Sequence, residues 1–420
     1  MSSIHAQRVE LLKNRAFLLY FIGTTVSYFG NGMQYIANSW LALEMADANY
    51  SVGIVLICSA LPGILLSPFS GVFVDWMDRK YLAASMDFFR ALVLLSIPLI
   101  SWLGELNIWH IYLMAFLVAI GDLVFQPAVI ALIREIIPKN LLLTANSTTQ
   151  ITAQIGSLIG AGLGGLIVAY FSPVWVMLLN AFTFIVSCLC ILAMPKSDGM
   201  KSSERKSWSL LAKRFFTELE TGIQYIKQNQ QIFILYLIML SYPITLRSIN
   251  SLLPIFSKDV LKVGAEGFGY IDAAFAVGAI VGGFLLPSFV NKLGNSLALM
   301  VGLGALGASL LFFSISFDIW TGILGYFLIG CTFQSRILYL TTIQHQVDLE
   351  VQGRVHSVYT TFVSVFALVV YFLTGVLSEV VSARWLYALQ GIIVLIATSY
   401  FCYLYTNKKL TESEAYAEKN

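Results

Sequence analysis

GVFVDWMDRK, residues 71–80, is where a long apolar run breaks into charge. Upstream, residues 51–74 hold no charged side chain at all; downstream, residues 81–103 hold only Asp87 and Arg90. About 20 mainly apolar residues suffice to cross the hydrocarbon of a bilayer as a helix. Each run therefore reads as a crossing helix, and the charged break between them as a turn at the water's edge.

The same alternation extends in both directions. Apolar runs lie near 17–40, 51–74, 81–103, 109–133, 146–170 and 174–194, and again near 231–255, 267–290, 296–316, 319–343, 356–379 and 384–406. The sequence thus predicts an all-α membrane protein with twelve transmembrane helices in two pseudo-symmetric six-helix bundles. Residues 1–195 form the first, 231–420 the second, and 196–230 a polar cytoplasmic linker. Composition requires the same solvent: of 420 residues 58% are hydrophobic and 11% charged, against about 25% charged in a soluble domain.

Lys and Arg set the orientation. With both ends inside, nineteen of them fall in inner segments and only Lys258, Lys262 and Arg384 in outer loops. Arg90, Arg247 and Arg336 remain within spans. This asymmetry is the positive-inside pattern. The N-terminal MSSIHAQRVELLKNR is polar and basic and reads as a cytoplasmic tail, not a cleaved signal. In the linker, Trp208, Leu211, Phe215, Leu219 and Ile226 recur at helical spacing, and Arg214 and Glu218 pair one turn apart. Either an interfacial helix with its basic face on anionic headgroups or a solvated linker helix satisfies that pattern.

Composition and spacing count against several other functions, a transport-inactive membrane sensor among them. A net charge of +2 gives nucleic acid no electrostatic footing. The five cysteines all lie in apolar runs, odd in number and without a CxxC, and the four histidines are scattered. No metal, cofactor or enzymatic constellation follows from such spacing. A sensor would carry a sizeable soluble domain, and the longest polar stretch is the linker.

The halves echo each other: GVFVDWMDRK at 71–80 and PSFVNKLGNS at 287–296, IIPKNLLLTANS at 136–147 and QVDLEVQGRVHS at 346–357. Such repeats point to a transporter with its site between two halves. Gly71-x3-Asp75-x2-Asp78-Arg79-Lys80 resembles the loop signature of the major facilitator superfamily. The resemblance runs on through Phe125-Gln126-Pro127-Ala128, Pro138-Lys139, Ala145-Asn146-Ser147 and Gly353-Arg354-Val355. It is nearest the branch of macrolide efflux pumps and the enterobactin exporter. Asp78 stands where the superfamily often has Gly.

The resemblance implies an alternating-access transporter of the bacterial inner membrane, monomeric, multi-pass, with both termini cytoplasmic. Its partners would be a small-molecule substrate, protons and membrane lipids. An inner gate latch is expected from Gly71, Asp75, Asp78, Arg79, Lys80, Asp87, Arg90 and Arg134; the bland alternative is that these charges only obey topology. Gly156, Gly160, Gly162, Gly164 and Gly165 resemble the antiporter motif of proton-driven exporters, or serve helix packing alone. Ala161 departs from that motif, which usually has Pro there, so an importer or a lysolipid flippase stays open beside proton-coupled efflux of an amphipathic molecule.

Charges inside a membrane are costly, about 2.5–3.5 kcal/mol each at mid-depth. Asp122, halfway through its span, is the expected proton carrier, with Asp272 second. Asp272 and Arg247 lie at similar depth and could instead pair. Spans one, four, seven and ten line the cavity in the superfamily, which makes Asn31, Gln34, Gln126, Arg247, Asn250, Gln334 and Arg336 the candidate cavity and substrate residues.

Overall fold

The computed structural model describes residues 4–46, 48–195, 208–348 and 351–406; the side chains of 4–6, 67–76, 139, 208–216 and 405 lie outside that description. The described residues are helical, without strands. In chain order come α1 (Ile4–Lys13), α2 (Arg15–Ala46), α3 (Tyr50–Trp76), α4 (Arg79–Trp102), α5 (Ile108–Ile136), α6 (Leu142–Tyr170), α7 (Pro173–Ala193) and α8 (Trp208–Gln228). There follow α9 (Gln230–Met239), α10 (Ser241–Ile255), α11 (Gly264–Leu293), α12 (Asn295–Ser314), α13 (Ile319–Phe333), α14 (Arg336–Gln346), α15 (Gln352–Val380) and α16 (Ala383–Thr406).

Each of the twelve apolar runs falls on helix. Among the described residues, ten helices are long and apolar enough to cross a membrane, α9–α10 and α13–α14 each counting as one. α3 contributes a shorter apolar stretch, Tyr50–Leu66. α2 has 32 residues, but Thr24, Thr25, Ser27, Asn31, Gln34 and Asn38 dilute its hydrophobicity.

The chain divides into two compact units, Met1–Ala212 with Gly264–Tyr270, and Lys213–Val263 with Ile271–Asn420. In the first, α2 packs along α6 and α7, α4 along α5 and α7, and α3 along α5. Without a hydrophobic drive between helices in lipid, close backbone approach and polar contacts hold such a bundle. Gly160 shows the first: a Cβ there would sit 2.2 Å from the Phe29 carbonyl oxygen of α2. α1 joins through buried Leu11 and through Gln7, whose Oε1 accepts from Thr144 Oγ1 at 2.6 Å.

In the second unit, α12 packs on α13 and α16, and α10 on α15. Phe256, Phe313, Tyr326 and Tyr387 form its aromatic core, with centroids 4.7–5.3 Å apart for Phe256 with Phe313 and Tyr387, and 5.1 Å for Phe313 with Tyr326. Two spans break. Pro243 has no N–H to return to the preceding turn, and the helix interrupts at Leu240 between α9 and α10. α13 ends in tight turns, Ser335 N donating to Thr332 O and Leu338 N to Ser335 O. The breaks meet: the Tyr242 hydroxyl and Ser335 Oγ are 2.7 Å apart, both buried.

Candidate functional site

Start at the charged break. Asp78 caps α4, its carboxylate accepting from the backbone of Lys80 at 3.0 Å and of Tyr81 at 3.3 Å. Such a cap satisfies N–H groups that a helix start leaves orphaned. Arg79 pairs with Glu135 near the C-terminal end of α5. Lys80 is 7% exposed and its Nζ donates to the Met194 carbonyl at the end of α7, where free carbonyls favour a cation. Arg134 is exposed. Gly71 and Asp75 lie outside the described side chains. Glu135 was missed, and its only signal was adjacency to Arg134.

Asp87 and Arg90 do not belong to that end. They lie eight and eleven residues further along α4, which at 1.5 Å per residue puts Arg90 about 16 Å from Arg79 along the axis. Arg90 donates from Nη2 to Asp87 and from Nη1 to Asp122 of α5. This corrects the assignment of both residues to the latch: they form a triad with Asp122. Residues 87 and 90 share a face, and antiparallel α5 brings 122 opposite them.

The triad is asymmetric. The side chains of Arg90 and Asp87 are 2% and 0% exposed, that of Asp122 45%. The guanidinium lies between two rings, 4.3 Å from the Phe125 centroid and 4.1 Å from Phe184, an arrangement that steadies a cation out of water. Gly121 makes the space, since a Cβ there would stand 2.5 Å from Arg90 Cγ. Neither Phe184 nor Gly121 carried a signal of its own in the sequence. Two carboxylates and one guanidinium sum to one negative charge when all are ionised, and to none with one proton added.

Asp122 opens onto a cavity of about 690 Å³ bounded by α2, α3 and α5, and is the one charged residue on the described walls. Asn31, Gln34, Asn38 and Gln126 line it too, with Tyr35 and Ser59. Gln34 is 7% exposed; its Oε1 accepts from Asn180 Nδ2 at 2.5 Å. That bond fixes the amide in place, leaving Asn31 and exposed Gln126 the freer polar groups.

The second unit holds the other candidates separately. Arg247 and Asp272 form no ion pair, so the pairing that their similar depth allowed is not made. Arg247 donates instead to the Tyr371 hydroxyl of α15 at 3.1 Å. Arg336, at the start of α14, has its guanidinium 5.5 Å from the Phe333 ring. Gln334 caps α13, and Asn250 lies on α10, partly buried.

Of the glycine motif, Gly156, Gly160 and Gly164 press on α2, and Gly165 on the backbone at Ala265 and Gly269. Gly162 does not pack: a Cβ there meets nothing within 4 Å. Two residues from Gly160 it points to the far side of a 3.6-residue helix.

A family model described as transmembrane secretion effector, of major facilitator type, matches residues 8–420. The chain belongs to the major facilitator superfamily. The transporter is 22% identical over 296 residues to macrolide efflux protein A of Streptococcus pyogenes, covering 70% of this chain and 71% of that one. It is 23% identical over 220 residues to the multidrug efflux pump Tap of Mycolicibacterium fortuitum, covering 51% and 53%. Among solved structures, the nucleoside transporter NupG superposes with a TM-score of 0.74 at 14% identity, covering 93% of this chain and 99% of that one. A bacterial homologue of the iron transporter ferroportin, in an inward-facing state, gives 0.74 at 14%, covering 93% and 98%. At such identity these structures establish the transporter's fold alone. It is a multi-pass membrane protein that moves a small-molecule substrate.

Proposed function

We propose that this transporter exports an amphipathic small molecule, drug-like or siderophore-like, in exchange for protons by alternating access. In this reading it is a monomer of the bacterial plasma membrane with twelve spans. Two six-helix halves, residues 1–195 and 231–420, join through a cytoplasmic linker at 196–230, and both termini face the cytoplasm. The nineteen-to-three bias of Lys and Arg supports that orientation, and the names of the efflux relatives support export.

One observation carries the coupling: Asp122 is half open to the cavity yet bonded to a buried arginine that Asp87 also holds. Of the three groups, Asp122 is the one a proton from cavity water can reach. Protonating it cancels the triad's single surplus charge, and the buried Arg90–Asp87 pair stays whole. Loss of that proton restores a negative wall. Such a group can bias two conformations, because an occluded site tolerates surplus charge less than a wet one. One proton crossing about 100 mV supplies about 2.3 kcal/mol, enough for roughly a fiftyfold gradient of a neutral solute.

The test is uptake into inverted vesicles of a panel of dyes, macrolides and siderophores, with and without a proton gradient. Accumulation of at least one compound is expected with the gradient and its loss on adding a protonophore. Accumulation indifferent to the gradient for every compound carried would exclude proton coupling.

A further inference from the structure

A groove of about 290 Å³ opens between α8, α9 and α15 of the second unit. Phe233, Leu237, Phe362 and Phe366 form its sides, and each is between 39% and 53% exposed. Tyr236 and Tyr359, with ring centroids 5.2 Å apart, also line it. Lys227 is the one charged residue among the described lining, and it belongs to the last turn of α8, where that helix gives way to α9. A channel walled by phenyl and leucyl groups on membrane-crossing helices, with a base at one end, has the polarity of a lipid: a chain along the helices, a charge at the interface.

The end with Lys227 is built, not incidental. Gly222 brings α8 against the start of α15: a Cβ there would stand 2.8 Å from the Arg354 carbonyl oxygen and 2.7 Å from Val358 Cγ2. The Tyr225 hydroxyl donates to Asp348 Oδ2 at 3.0 Å, tying α8 to the turn before α15 and engaging that turn's carboxylate. Arg354 and His356 are exposed on the first turn of α15. Lys227 is thus the charged group that lines the apolar slot, at the end where α8 gives way to α9. The slot's volume is at the lower edge of drug-sized pockets, about 300–1,000 Å³, which suits a single extended chain better than a compact solute.

We propose that this groove holds one acyl chain of an anionic phospholipid, whose phosphate pairs with Lys227. The site is independent of Asp122 and of the direction of transport, so it stands or falls separately from the exporter reading. A zwitterionic lipid would fill the slot equally but would bring a cation to a basic corner.

The experiment is native mass spectrometry of the detergent-purified full chain, equilibrated with an equimolar mixture of phosphatidylglycerol and phosphatidylcholine of identical chains. The wild type is expected to retain phosphatidylglycerol about fivefold over phosphatidylcholine, the bias one basic residue gives at an anionic surface. Lys227→Gln, an exposed position that leaves the fold undisturbed, should bring the ratio close to unity, and Lys227→Arg should keep the bias. Leu237→Trp, which fills the slot, should lower retention of both lipids. Equal retention by the wild type, or an unchanged bias in Lys227→Gln, overturns the proposal. So does complete displacement of phosphatidylglycerol by equimolar oleate, which would make the occupant a free fatty acid.

Discussion

Arg90 and Asp122 meet across α4 and α5 with the arginine shut away from solvent and the aspartate half open to the cavity. The arginine is also held by Asp87 and lies against the rings of Phe125 and Phe184. In the proposed coupling the buried arginine is the fixed member, and Asp122, open to the cavity, is the one that exchanges a proton. Asp122→Asn keeps the hydrogen-bonding shape but holds the triad permanently neutral. Uphill accumulation in inverted vesicles should fall from a gradient of up to about fiftyfold to none, while substrate counterflow persists. Asp122→Glu should retain part of the uphill activity. Undiminished pumping by Asp122→Asn would leave the residue structural.

Arg90→Ala should behave differently, because it strands Asp87 in the core. Removing one partner of a buried ion pair costs about 3–5 kcal/mol. Loss of folded protein, read by size-exclusion in detergent, is expected before any question of rate arises. Arg90→Ala combined with Asp87→Ala should recover much of the folded yield.

Two glycines of one motif should part company. Gly160→Ala forces a Cβ onto the Phe29 carbonyl, overpacking of a kind that costs about 1–3 kcal/mol. Gly162→Ala meets open space and should be neutral or gain up to about 1 kcal/mol from helix propensity. Thermal unfolding of the two variants in detergent distinguishes them directly.

The Arg79–Glu135 pair, with side chains 24% and 16% exposed, should contribute little to stability, about 1 kcal/mol or less. If it latches one end of the bundle, Glu135→Gln should alter the initial transport rate at unchanged protein level. Exchanging the pair, Arg79→Glu with Glu135→Arg, should restore the rate. Unchanged transport in Glu135→Gln would reduce the pair to surface decoration.

Asp318 precedes α13 and caps it, bonded to both the side chain and the backbone N–H of Thr321. The Thr321 side-chain bond, then the backbone bonds, hold its carboxyl below the ordinary carboxylate range. A depressed folded value means the contribution is whole above the unfolded carboxyl value, about 3.9, and is lost as pH falls through the lower folded value. Thermal stability measured downward from pH 5 should therefore decline less steeply in Asp318→Asn than in the wild type. Parallel curves would remove Asp318 from the acid response.

Much of this was legible from composition and spacing. Runs of some 20 apolar residues broken by charge can only be helices in lipid, because a backbone without water must satisfy its own hydrogen bonds. The position of Asp122 within its span, and its sharing a face with Gln126, followed from helical periodicity, and both line the cavity. Asp87 and Arg90 were visibly on one side of their helix for the same reason. What could not be read was which cation Asp122 meets, that Gly162 faces open space, that Arg247 turns to Tyr371, or that the breaks at Leu240 and Ser335 meet through Tyr242. Each depends on how a helix is rotated about its axis against its neighbours. In water an apolar stripe reports that rotation, but a helix surrounded by lipid is apolar all round, so its sequence leaves the packed face unmarked. Solvent and span were thus determined by the chain alone, and pairing by the tertiary structure, where small residues and buried charges choose among faces that hydrophobicity does not distinguish.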